Sequence, residues 1–494
     1  MQNKQSHNHL IILFRGSIIS FFGAGCLGIL NYCVRRELAL SLDIVDFGFM
    51  YSVFALSGIF IAYLDMGLGQ SATILISKAF TNKLKNLGNR YYLQIMLIKL
   101  FFAVIVFIIL ALTYKFWMVY FFKYSNSTPF FILIFLIIIQ AVSSAPGSVA
   151  TALKRFGLLN TSQILVPVTI LVIIYFFNPF HNINIYALAF LVGTFIMFAF
   201  LFIVMMIDGY LPKTKSVKEL FEIGEIFHLS KWIALSTLGL TAMCYMDSLM
   251  ITWLVGLKAV GLYNVALPIM QIAYSLMVIP TVFLPIVAGM WAEGKESDIA
   301  LICGFTTEIA VYLFWPIAFT IILLAEIFII LLFSSKFTEA APALIILFIG
   351  NTLFALSNFY MGTLNAGKNA RLVAITIIIA AAVNITLNYV LIPYLSIAGA
   401  ATATTISYLF ITVCLYVILK RNLKEFTVNK NKICKFSILG VICILMAFAF
   451  SLKYNFNFLY ILLFTIIINL MYFGITFKTA FYYYKTSVKF LKKQ

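Results

Sequence analysis

This sequence predicts an all-α polytopic membrane protein with 14 transmembrane helices, and three observations carry that expectation. Of 494 residues, 63% are hydrophobic, only 10% are charged and 50 are phenylalanine, with a mean hydropathy of +1.06. A water-soluble chain of this size needs far more polar surface. Apolar runs of the roughly 20 residues needed to span a bilayer recur from end to end. Finally, lysine and arginine sort by side, as they do in membrane proteins.

The first run, Leu10 to Val34, is longer than a signal-peptide core and has no evident small-residue cleavage site, so it reads as a retained span. The others are expected at 44–76, 90–113, 129–150, 160–177, 184–207, 230–254, 262–289, 303–331, 341–362, 371–392, 397–419, 434–450 and 457–477. An even count places both termini on one side. With that side cytoplasmic, 26 of the 34 basic residues are internal, Arg35, Arg36, Lys115, Lys123, Lys258, Lys336 and Lys453 are external, and Lys99 lies within a span. The opposite orientation would translocate most of the basic residues. The net charge of +18 therefore reflects topology and attraction to anionic membrane lipids, and needs no nucleic-acid partner.

The connections exclude a large soluble domain. The longest polar break, Asp208 to Lys231, is about two dozen residues and carries Leu220, Ile223, Ile226 and Phe227 on one face of an amphipathic helix. The largest outer loop, YKFWMVYFFKYSNST, is about fifteen residues. An internal echo accompanies this linker: VDFGFMYSVFAL opens span two and KAVGLYNVALPI opens span eight, each with glycine and tyrosine after a short outer loop. The domain reading is an N-terminal lobe of six spans over 1–208, a linker over 209–231, a second six-span lobe over 232–420, and a terminal helix pair with a basic tail over 421–494. Most of the seven cysteines fall in apolar runs and read as small core side chains. Neither they nor the four histidines have metal-ligand spacing, and no cofactor is expected.

Few charges lie inside the spans, and an ionised group there must face protein or water. Arg15 either snorkels to the interface or enters a cavity. Lys99 lies about ten residues into its span, too deep for easy snorkelling, which favours a cavity. Asp65, in AYLDMGLGQSA, either pairs with Lys99, accepts helix-end hydrogen bonds or lines an aqueous path. Asp247, about midway along CYMDSLMITW, leaves the same alternatives open. Glu308 reads as a gate salt bridge or a wet mouth, and Glu326 as an interfacial contact. Asn384 and Asn388 lie one turn apart and either hydrogen-bond across helices or wet the lumen. Pro146, Pro268, Pro280, Pro285 and Pro316 fall inside spans, where each removes a backbone hydrogen bond and bends the axis.

Four stretches give the chain a resemblance. They are DFGFMYSVFALSGIFIAYLDMGLGQSATILIS, YMDSLMITWLVGLKAVGLYNVALPI, NAGKNARLVAITIIIAAAVNITLNYVLIPYLSIAGAATATTISY and LLFSSKFTEAAPALIIL, the last with Ser334 in place of the usual turn glycine. In order and spacing the sequence resembles the polysaccharide flippases of the multidrug/oligosaccharidyl-lipid/polysaccharide exporter superfamily, in particular the Wzx-type O-antigen flippases. The resemblance implies a V-shaped transporter of two six-helix lobes, with helices thirteen and fourteen at the side. It implies movement of undecaprenyl-diphosphate-linked glycan from the cytoplasmic to the outer leaflet of the inner membrane, alongside glycosyltransferase and polymerase machinery. Arg15 and Lys99 become candidates for the diphosphate. Asp65 and Asp247 match acidic positions of such families, where they orient cations, bond sugars or couple to Na+ or H+. Two rivals stand beside this reading. A membrane glycosyltransferase or polymerase is disfavoured by the short outer loops, and a small-molecule exporter by the terminal helix pair.

Overall fold

The structure, a computed structural model, describes residues 23, 25–65, 68–82, 84–177, 182–210, 231–277, 287, 290–291, 293–367, 369–453 and 458–492. Arg15, Pro280, Pro285, most of the first span and the linker with Leu220, Ile223, Ile226 and Phe227 lie outside the described residues. What is described is helical, as a bilayer core requires of a chain that must satisfy its backbone groups internally.

Helix α1 covers 25–41. It is followed by α2 (Ile44–Asp65), α3 (Leu68–Thr81), α4 (Lys85–Leu112), α5 (Thr128–Ala152), α6 (Phe156–Phe177) and α7 (Ile183–Ile207). Beyond the linker come α8 (Lys231–Leu254), α9 (Leu257–Met277), α10 (Glu296–Leu332), α11 (Ala341–Ala366), α12 (Ala370–Asn422), α13 (Lys430–Lys453) and α14 (Phe458–Lys492). Among the described residues, nine helices are long and apolar enough to cross a membrane.

Local chemistry sets several boundaries. Pro129 sits in the first turn of α5, where its missing N–H removes no helical bond. The Asn182 side chain caps α7 by accepting from the Asn184 N–H at 2.9 Å. Expected spans eleven and twelve run together as α12, broken at Ser396, whose φ of 51° and ψ of −131° lie outside the helical region. Expected span two is described as α2 and α3, with residues 66–67 outside the described residues.

The chain forms two compact units, Met1–Gly261 and Leu262–Gln494. In the first, α5 is central and packs against α2, α3, α4, α6 and α7, while α8 packs along α2. The start of α9 also meets α2, at the glycines of the internal echo. A Cβ on Gly48 would lie 1.9 Å from the Leu257 carbonyl oxygen, and one on Gly261 would lie 2.5 Å from that of Ile44. The two backbones meet where either side chain would part them. One turn after Gly48, the Ser52 and Thr252 hydroxyls hydrogen-bond at 2.7 Å, both buried. The echo is therefore a reciprocal packing contact.

In the second unit, α11 packs against α12, and α10 contacts α11, α13 and α14. The terminal helices are held by polar as well as apolar contacts. The Tyr472 hydroxyl donates to the Tyr312 carbonyl at 3.0 Å, and Asn469 Nδ2 donates to Thr320 Oγ1 at 3.0 Å. Such bonds serve in lipid, where apolar surface alone gives helices little reason to associate. Cysteine burial departs from expectation. Cys303 and Cys443 are buried, but Cys26, Cys244 and Cys434 are exposed. An apolar run in a membrane helix includes a lipid face, so apolar surroundings in sequence do not imply a protein core.

Candidate functional site

Two of the charged residues singled out from sequence meet where the described part of α2 reaches Asp65. Lys99 Nζ, from the middle of α4, donates to Asp65 Oδ1 and, at 2.7 Å, to Ser144 Oγ on α5. The pair is asymmetric: the lysine side chain is 2% exposed and the aspartate 34%. Asp65 is the last described residue of α2, and the ammonium compensates its charge. Gly69 leaves room for the carboxylate, since a Cβ there would lie 3.1 Å from Asp65 Oδ1.

The lysine's other partner stands beside a proline. Pro146 lies inside α5 and breaks its ladder, and serine hydroxyls attend the surrounding backbone. Ser143 donates to the Gln140 carbonyl at 2.9 Å, Ser144 to Ala141 at 2.6 Å, and Ser148 to Ser144 at 3.0 Å. Ser148 also approaches the Gly69 carbonyl at 3.3 Å, tying α5 to the start of α3. The stretch SSAPGSVAT reads as a bend, but its role as a hydroxyl partner of Lys99 is a tertiary fact. Four helices thus converge on one charge pair, with one oxygen-bearing member open to its surroundings.

The other candidates have their own settings. Asp247 is buried on α8. Glu308, in the second unit, forms an ion pair with Lys432 at 3.1 Å and accepts from the Asn429 N–H at 3.0 Å, joining α10 to the start of α13. Asn384 Nδ2 donates to Thr404 Oγ1 at 3.1 Å, and Asn388 Nδ2 donates to Asn384 Oδ1 at 3.2 Å, so both bond within the two arms of α12. Both asparagines are fully buried. Glu326 is exposed.

A feature absent from the sequence-derived set lies along α3. Its face of Leu68, Ala72, Leu75 and Ile76 is packed into a core with Tyr91, Tyr92, Ile95, Ala145 and Val149. The remaining face borders an open cleft of about 450 Å³ lined by Thr73, Ile74, Ser77, Lys78 and Asn82. The signal in GQSATILISKAFTN is a set of polar residues at helical spacing that straddles the end of expected span two at residue 76.

A family model described as polysaccharide biosynthesis protein matches residues 13–291. An uncharacterised membrane protein of Methanocaldococcus jannaschii is 25% identical over 272 residues, covering 53% of this chain and 52% of that one. The probable low-salt glycan biosynthesis flippase Agl15 of Haloferax volcanii is 28% identical over 191 residues, covering 38% and 40%. The chain thus spans about half or less of the length of these relatives. Among solved structures, the lipid II flippase MurJ in an inward closed conformation superposes with a TM-score of 0.71 at 16% identity, covering 95% of this chain and 100% of that one. An inward-facing multidrug resistance MATE transporter of the MOP superfamily gives a TM-score of 0.69 at 13% identity, covering 81% and 95%. The fold is that of these multi-pass transporters, and the match over more than half the sequence makes the chain a member of the polysaccharide biosynthesis protein family.

Proposed function

We propose that the protein is a flippase that carries a polyprenyl-diphosphate-linked oligosaccharide, an O-antigen or similar surface-glycan repeat unit, from the cytoplasmic to the outer leaflet. In this reading 14 spans form two six-helix lobes, 1–208 and 232–420, joined by the linker 209–231 and flanked by the helix pair of 421–494. Both termini are cytoplasmic, and transport proceeds by alternating access without enzymatic catalysis. The glycan would pass through a hydrophilic interior while the polyprenyl chain stays in lipid.

The observation that carries the reading is the Asp65–Lys99 pair. An apolar helix bundle holds a lysine 2% exposed and a carboxylate 34% exposed within its spans. A purely structural bundle has no need of such a pair, because apolar side chains of similar volume fill a core at no electrostatic cost. We assign the pair to a charge network that rearranges between states. Where Asp65 turns away, to an ion or to a sugar hydroxyl, the ammonium becomes available to phosphate. Arg15 would supplement it, and Asp247, on the helix that packs along α2, would orient a cation or bond a sugar. Family membership supports the glycan-lipid substrate, as does the flippase description of the Haloferax relative.

A second reading, export of a small organic cation, has one observation in its favour: the open member of the pair is the carboxylate. Depletion of the protein in its own host separates the two. A flippase leaves lipid-linked glycan accumulating in a form that reagents reach only from the cytoplasmic side. Unchanged glycan lipid, with retention of cationic dyes, favours the exporter.

A further inference from the structure

The α4–α5 connection, expected as the largest outer loop, is helical for much of its length. After a turn at Thr113 the chain re-enters helix and closes in a π-helical segment, Phe116–Phe121. One face of it is held to the protein. Met118 and Phe122 are buried, and Phe122 packs edge-on against Phe49 of α2 with ring centroids 5.4 Å apart. Just beyond, the Tyr124 ring stacks on Phe49 at 4.1 Å and its hydroxyl donates to Asp46 at 2.6 Å. The opposite face carries Leu112, Phe116, Val119 and Tyr120, which are 79%, 54%, 61% and 70% exposed. Lys115 and Lys123, each three or four residues from members of that stripe, are exposed too, and among the described residues neither forms an ion pair. Lys123 ends the helix at a φ of 51°, a conformation that favours glycine, so a long charged side chain stands where the backbone alone calls for none.

Water suits the two lysines but strands four large apolar side chains, and hydrocarbon suits the apolar groups but rejects the ammonium groups. The headgroup layer accepts both: apolar and aromatic groups enter the acyl boundary while lysine stems reach phosphate. Length places the segment at that level. Phe116 lies 26 residues beyond Arg90, about 39 Å of helix at 1.5 Å per residue, against a hydrocarbon core of about 30 Å and about 40–45 Å with headgroups. We propose that residues 112–123 form an interfacial foot seated in the leaflet opposite the basic-rich side, where Lys115 and Lys123 bind the headgroups of anionic phospholipid. Phe116, Val119 and Tyr120 lie at the acyl boundary. The complementary charge of the lipid accounts for two of the lysines that depart from the positive-inside bias. The foot sets the depth of α4, the helix that bears Lys99, whatever cargo the protein carries.

The test places a fluorophore on Tyr120→Cys, with exposed Ser125→Cys as the water-side reference, in full-length protein whose seven native cysteines are alanine. The protein is held in nanodiscs of phosphatidylcholine and phosphatidylglycerol. Acyl-nitroxide lipid should quench the probe at 120 at least about threefold more than the probe at 125, and aqueous acrylamide should show the reverse order. At equal mole fraction, nitroxide phosphatidylglycerol should quench at 120 at least about twofold more than nitroxide phosphatidylcholine. Lys115→Gln combined with Lys123→Gln should remove that difference with unchanged melting, and the double arginine variant should keep it. Acrylamide quenching at 120 equal to that at 125 would make the segment an aqueous loop and overturns the foot. Protection from both quenchers would put a protein partner or a second copy on this face, and also overturns it. Equal quenching by the two lipids with both lysines present, or a difference that survives in the glutamine variant, overturns the anionic site.

Discussion

Asp65→Asn is expected to destabilise the protein more than Lys99→Met, even though both remove one charge from the same pair. The reason is the unequal exposure of the side chains, 2% for Lys99 and 34% for Asp65. Asparagine leaves an ammonium enclosed with Ser144 as its remaining partner of the two. Removing one member of a fully buried pair costs about 3–5 kcal/mol, whereas exposed pairs contribute about 0–1 kcal/mol. With Asp65 one-third open, about 2–3 kcal/mol is expected for Asp65→Asn. In Lys99→Met the orphaned carboxylate is the partly hydrated member, and methionine fills most of the lysine's volume, so about 1–2 kcal/mol is expected. The double variant leaves no buried charge and should lose no more than about 1 kcal/mol relative to wild type, a coupling of about 2–5 kcal/mol. The assay is reversible unfolding in mixed micelles, with all four proteins measured under one set of conditions. Additive single effects, or a larger loss in Lys99→Met than in Asp65→Asn, would refute the reasoning.

Three further predictions concern other parts of the fold. Gly48→Ala should force α2 away from Leu257 and cost about 2 kcal/mol or more, the scale of overpacking, whereas Gly25→Ala, with nothing within 4 Å, should be nearly neutral. Melting in detergent and the monodisperse yield would read both, and an unperturbed Gly48→Ala would show that the crossing is loose. Glu308→Ala removes the carboxylate that holds Lys432 and the Asn429 N–H, so limited proteolysis should release the terminal helix pair sooner than in Lys432→Ala, which leaves the backbone bond in place. Equal protection of the two variants would discount the Asn429 contact. Cysteines placed at Ser125 and Lys424 should label from outside and inside respectively, because that orientation keeps 26 of the 34 basic residues internal; the reverse pattern contradicts the topology.

The helices long and apolar enough to cross a membrane are largely legible in the sequence, because the cost of burying backbone and charge leaves a strong trace in apolar runs. Helix ends were less so. The ninth expected span, 303–331, is observed as Glu296–Leu332, since a helix continues past the apolar segment wherever its backbone bonds persist. Asp65 and Lys99 could be found as charges out of place, and their pairing was among the alternatives. Ser144 could not be named as a partner, because nothing local in SSAPG marks which of its hydroxyls faces α4. The glycines of VDFGFMY and KAVGLYN were visible as a repeated pattern. Their meeting across two helices depends on the packing of α2 and was not. Lys78 reads from sequence as positive-inside bias near a span end, which does not specify the face of its helix that carries it.

The central claim is movement of a glycan lipid between leaflets, and proteoliposomes measure it directly. Purified protein is reconstituted with a fluorescent undecaprenyl-diphosphate disaccharide, and a membrane-impermeant quencher follows the fraction of probe in the outer leaflet over time. Wild type should equilibrate the probe across the bilayer well above the rate of protein-free vesicles. Lys99→Ala, matched for reconstituted protein, should be slowed at least about tenfold, as expected from loss of a charge-assisted contact to phosphate. A wild-type rate indistinguishable from empty vesicles, in a preparation that does transport a cationic dye, would contradict the flippase assignment.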